Sequence, residues 1–163
     1  MPVLPYVEFT PEVADTVRLA DSAVLVGKVR VAGPARFESS AVARGDQNWI
    51  EIGPRFRIGQ GSSIHVEFLT QTSIGADVWV GDRCVVHACT LGDGVRVENG
   101  GLLLSNSRVG GGSLVAAGAL VTEGAEFPNN SYIEGTPGRR TRDTTPEERD
   151  ATRRMVAEAL SAG

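Results

Sequence analysis

Aromatic side chains are scarce in this chain of 163 residues, at 6%. That scarcity excludes a conventional core built around large rings. Lysine is scarcer still, since Lys28 stands alone against fifteen arginines. Arginine suits planar, partly buried ion pairs better than lysine does. Two cysteines, Cys84 and Cys89, are too few for a disulfide framework. No apolar run reaches the ~18 residues of a membrane span. The first ten residues lack a basic segment followed by an apolar one, so no secretory signal and a cytoplasmic location are expected. A formal charge of −4 argues against non-specific nucleic-acid binding. With 41% hydrophobic and 22% charged residues, the composition is that of one soluble folded domain.

Glycine is abundant, at 20 residues, or about 12% where ~7% is usual. Many glycines and valines with few rings suggest short strands and tight corners. Stepping by six from Leu19 meets Leu25, Val31, Phe37 and Ala43. Further runs are Ile52, Ile58, Ile64; then Ile74, Val80, Val86; then Leu91, Val97, Leu103, Val109, Val115, Val121. All seventeen positions are apolar, where chance would give about seven. Each hexapeptide then reads as one short strand and one corner, with three hexapeptides to a triangular coil. One coil cannot bury its own inner face, so stacking makes the core. Alternation with period two is poor, which disfavours a β-sandwich. The pattern resembles the hexapeptide repeat of left-handed parallel β-helices, and that resemblance alone supplies the hand. The expected architecture is all-β, a left-handed parallel β-helix over about 12–125 with a C-terminal α-helix.

After Val121 the repeat is expected to stop, leaving an extended return segment over 126–143. Thr145-Pro146-Glu147-Glu148 forms a capping box with proline at the first helical position. A helix over about 145–161 follows, with Ala151, Met155, Val156, Ala159 and Leu160 on one face.

The only two histidines, His65 and His87, each follow a repeat position, Ile64 and Val86. Ile74 and Val80 lie between, so the histidines are one coil apart and share a corner. Ten residues rather than six separate Ile64 from Ile74, which places a loop at Val66–Ser73 beside His65. Stacked outward imidazoles can make half of a metal site, but two ligands are too few for zinc. A pair of surface histidines is the plain alternative.

Five motifs now converge: Ala43-Arg44-Gly45-Asp46; Ser63-Ile64-His65; Gly81-Asp82 through His87-Ala88-Cys89-Thr90; Ala116–Val121; and Gly135-Thr136-Pro137. Over roughly Pro11 to Glu148 the chain resembles the γ-class carbonic anhydrases. The resemblance implies a homotrimer acting on a small molecule, without nucleic acid or membrane. It implies a divalent metal, zinc first and iron(II) second, held by two histidines of one subunit and a third ligand from its neighbour. Carried over, His65 and His87 are the pair and Asp82 stands where the family has its third histidine. A His₂Asp set would also suit iron(II); the other reading makes Asp82 an ordinary corner residue.

The family glutamine that orients metal-bound hydroxide is replaced by Gly59, and the aspartate after it by Gln60. Gln60, Glu67 in the loop and Asn106 are the catalytic candidates, for orientation, proton transfer and substrate contact. Arg44 and Asp46 are implied as subunit-interface residues. Cys84 falls on an inward position and Cys89 on a corner. The implied reaction is metal-bound hydroxide attacking carbon dioxide to give bicarbonate. Alternatives are the same scaffold turned into a hydrolase, lyase or cyclase for a larger organic substrate, or a non-catalytic assembly subunit. An acyltransferase fits less well, because the loop Val66–Ser73 carries no histidine.

Overall fold

The computed structural model describes residues 2–162. Its strands wind into a parallel β-solenoid of about seven turns with three faces, closed by one C-terminal helix. The six-residue period explains the register. On the first face Leu25, Ala43, Ile64, Val86, Leu103 and Val121 are paired in sequence, one above the next. On the second, Val31, Ile52, Ile74, Leu91 and Val109 form such a column. On the third, Leu19, Phe37, Ile58, Val80, Val97 and Val115 form another. Every repeat position therefore points into the prism. All are fully buried except Leu19 near one end. Burial of each Val, Leu or Ile contributes about 1.5–3 kcal/mol, so these columns are the core.

Two boundaries differ from expectation. The solenoid does not stop at Val121, because Glu126–Phe127 stacks on Arg108–Val109 and Ser131–Glu134 on Leu114–Val115. Phe127 and Ile133 continue the step of six. Only the strand Arg139–Asp143 turns back, running antiparallel to Ser131–Glu134. At the other end Val3–Leu4 and Glu12–Val13 already pair with Val24–Val31, so stacking begins before residue 12. The strands Val24–Val31 and Val42–Ile52 also run unbroken around the edge between the first and second faces.

The helix spans Pro146–Ser161 behind the N-cap Thr145, whose hydroxyl accepts from the Glu148 N–H while the Glu148 carboxylate accepts from the Thr145 N–H. It packs on the third face, against Ala35–Phe37, Phe56–Ile58 and Val78–Val80. Val156 and Thr152 are its buried residues. Thr152 joins the expected apolar face because its hydroxyl donates to the Glu148 carbonyl within the helix. Two arginines lie on the surface beneath: Arg57 stacks on Trp79 at 4.2 Å, and Arg96 pairs with Glu98 and reaches the Met155 sulfur. Among the described residues no helix is long and apolar enough to cross a membrane.

Candidate metal centre at the stacked histidines

The strands Ser63–His65 and Val85–His87 lie side by side on the first face, in register, with His87 directly opposite His65. In both, the middle residue is buried and the flanking ones face outward, as strand alternation requires. The imidazoles consequently stack, ring centres 5.3 Å apart and tilted by 40°. Arg44 occupies the same position one coil away. The rings border an open groove of about 300 Å³ lined also by Val42, Arg44, Ser63, Ile64 and Val85.

Each ring has one nitrogen already engaged. Asp46 Oδ1 lies 2.9 Å from His65 Nε2, and its other oxygen pairs with Arg44 at 2.9 Å. Burial pushes the Asp46 carboxyl up, but the His65 hydrogen bond and charge, the Gln47 N–H and Arg44 outweigh it and hold Asp46 below the usual carboxylate range. An ionised carboxylate can only accept, so His65 Nε2 carries a proton and donates it to Asp46. His87 Nδ1 lies 3.0 Å from Ser105 Oγ, and that hydroxyl donates to Glu67 Oε1 at 2.6 Å.

The structure brings His65, His87, Asp46, Arg44 and Glu67 together. Glu67 is held there because Glu67 and Thr70 exchange backbone hydrogen bonds at 3.0 and 3.2 Å, closing a tight turn with Phe68 and Leu69 exposed at its tip. Asn106 does not face the groove as a substrate contact. It sits at a corner with φ +60°, and its side-chain oxygen accepts from the Thr70 hydroxyl, tying down the loop. Arg44 and Asp46 pair within one chain.

Asp82 and Gln60 lie at a different corner of the same chain. Asp82 Oδ1 accepts from the Gln60 N–H at 3.0 Å and lies 3.4 Å from Arg57. The Asp82 N–H in turn donates to Asn99 Oδ1. This is a ladder of side-chain oxygens clamping successive turns, and it explains an aspartate here without a metal. Gly59 is equally constrained: a Cβ would stand 2.3 Å from the Gly81 carbonyl oxygen and 2.3 Å from Asp82 Oδ1. The position that carries the family's glutamine has no room here for any side chain. Cys84 and Cys89 are buried and free, and burial pushes the Cys89 thiol up to about 12.

Ser105 and Thr72, whose hydroxyl holds the His65 carbonyl at 2.6 Å, escaped sequence reasoning. Ser105 had one signal, since it follows Leu104, the residue that counting coils places beside His87.

As a fit to a divalent ion, the donor set is half a site. Each imidazole has one nitrogen tied to an oxygen and one bare, the arrangement of metal-ligating histidines. No group of three or more His, Cys, Asp or Glu side chains converges among the described residues, whereas zinc takes three or four protein ligands.

Comparison with known proteins narrows the class. No family model matches the chain. A probable carbonic anhydrase of Methanocaldococcus jannaschii is 35% identical over 136 residues, 83% of this chain and 86% of that one. A mitochondrial gamma carbonic anhydrase 2 of Arabidopsis thaliana is 32% identical over 145 residues, 85% of this chain but 52% of the plant protein. The crystal structure of a hexapeptide transferase family protein from Anaplasma phagocytophilum superimposes with a TM-score of 0.92 at 30% identity, covering 98% of this chain and 94% of the other. A stacked-histidine site on a hexapeptide solenoid defines the class. The chain belongs to the γ-carbonic-anhydrase-like family of hexapeptide-repeat proteins.

Proposed function

We propose that the chain is a divergent, trimeric γ-carbonic-anhydrase-like metalloenzyme that hydrates carbon dioxide slowly. The observation that carries this reading is the in-register pair His65–His87. Zinc, or iron(II) in its place, would be held by His65 and His87, with Asp82 of a second copy completing the donor set. The bound ion would supply a Lewis acid and water acidified towards pH 7. The chain's own residues do the rest. Asp46 and Ser105 each hold one nitrogen of an imidazole. Val42 and Val85 give the groove an apolar lining suited to an uncharged gas. Glu67, with a side chain 46% exposed at the rim, is the group placed to pass a proton to water. What the chain lacks is an orienting amide at position 59, and losing one such hydrogen bond costs about 10²–10³ in rate. A carboxylate donor further disfavours acidification of bound water.

That same blocked position favours a second reading, in which the groove serves a larger organic substrate.

The test pairs metal analysis of purified protein with stopped-flow carbon dioxide hydration at pH 7–9, beside Asp82→His. Zinc or iron near one per chain contact with slow hydration supports the proposal. A metal-free, inactive wild type that gains both in Asp82→His shows a scaffold put to another use. Gel filtration at monomer mass removes the shared site outright.

A further inference from the structure

The bond order around Ser105 fixes more than a contact. A serine hydroxyl has one proton to give and lone pairs to receive. Ser105 Oγ lies 2.6 Å from Glu67 Oε1 and 3.0 Å from His87 Nδ1. A carboxylate can only accept, so the serine proton points at Glu67. The second contact then closes only if His87 Nδ1 carries the hydrogen and donates. Ser105 is nearly buried, at 6% exposure, so water does not offer a substitute partner on that side. Its place is doubly secured. Asn106, the next residue, accepts from Thr70, and Thr70 closes the turn that presents Glu67.

We propose that Ser105 is a positioning residue that locks His87 in the Nδ1–H tautomer, with Glu67 setting the direction of the hydroxyl. His87 Nε2 is thereby left with its lone pair free. His65 is fixed the opposite way, donating through Nε2 to Asp46. The two stacked rings are thus held in crossed tautomers before any ligand arrives. For a neutral imidazole pair this is preorganisation: neither ring must exchange a proton between nitrogens to become a donor. The ligand class served is a divalent cation that accepts imidazole nitrogen, and this part of the inference rests on the metalloenzyme reading.

Long-range ¹H–¹⁵N correlation spectra of the ¹⁵N-labelled, metal-free protein, recorded at a pH where free imidazole is neutral, read each ring nitrogen directly. Wild type is expected to show His87 protonated on Nδ1 and His65 on Nε2. Ser105→Ala gives a mixture at His87 and leaves His65 unchanged, while Ser105→Thr restores the single tautomer. Glu67→Ala, an exposed change that spares the fold, also gives a mixture, because the freed hydroxyl can then donate to Nδ1. Titration with Co²⁺ against a competing chelator should show about 10–100-fold weaker binding in Ser105→Ala, recovered by threonine. A wild-type His87 protonated on Nε2, or a Ser105→Ala spectrum identical to wild type at His87, overturns the inference. The spectra need no metal. A wild type that binds no Co²⁺ sinks the metalloenzyme reading, while the tautomer still decides this one.

Discussion

Adding one methyl group at Gly59 tests how tightly this corner is packed. The new Cβ would sit 2.3 Å from the Gly81 carbonyl oxygen, 2.5 Å from the Gly81 carbonyl carbon and 2.3 Å from Asp82 Oδ1. Ordinary contact begins near ~3.4 Å, so about 1 Å must be found. Asp82 can swing aside, but the Gln60 N–H then loses an ionised acceptor, at about 1.5–3 kcal/mol. Gly81 cannot follow, because its carbonyl is held by the Ser62 hydroxyl at 2.7 Å. Overpacking of this kind costs about 1–3 kcal/mol. The two effects together predict that Gly59→Ala loses about 2.5–6 kcal/mol. Gly118→Ala is the control: its φ is +68° but nothing lies within 4 Å of its Cβ. Only the left-handed backbone opposes that change, at roughly 1 kcal/mol. Urea unfolding at one protein concentration, followed by circular dichroism, measures both. Equal losses in the two variants would refute the steric argument. Gly59→Gln should fail with Gly59→Ala and restore no hydration.

Two further outcomes are accessible by simple means. Arg142 foremost, against the opposing effect of burial and with the Thr145 N–H helping, holds the Glu148 carboxyl at about 2. A depressed carboxylate stabilises the fold fully above its ordinary value of ~4.5 and loses that contribution as pH falls towards 2. Arg142 is 46% exposed, so screening by solvent and salt leaves only a small part of that contribution. Glu148→Gln should lower the unfolding midpoint at pH 7 and have a much smaller effect near pH 2; an equal effect at both would remove the charge argument. With both cysteines buried and the Cys89 thiol pushed up to about 12, a disulfide-exchange reagent at pH 8 should label neither in the folded protein and both in denaturant. Fast labelling of the native state would contradict the packing.

The period of six placed the three inner columns because each coil repeats the same burial problem, and Ile64 and Val86 fixed the height of the histidines. The period was lost at one edge: Val42–Ile52 runs around it without a break, and nine residues rather than six separate Ala43 from Ile52. Phe127 and Ile133 were legible as further steps, but the glycines that mark earlier corners give way to Pro128-Asn129-Asn130. Asp46 was read as an interface residue from its family motif. Its bond to His65 depends on which outward side chains of adjacent coils can reach one another, which spacing does not encode. Ser105 was hidden for a stronger reason: its role exists only once the Glu67 turn folds over it. Asp82 shows the reverse case, in which a motif position has a sufficient local duty in the corner ladder.

The lone antiparallel strand, Arg139–Asp143, has a bearing on how the protein behaves in bulk. A parallel coil ends in an open row of backbone donors and acceptors, onto which another molecule could dock end to end. Here the last rung of one face is covered by a strand whose five residues are all exposed and four of them charged. That reversed, arginine-rich hem is ill-suited to accept another coil on this face.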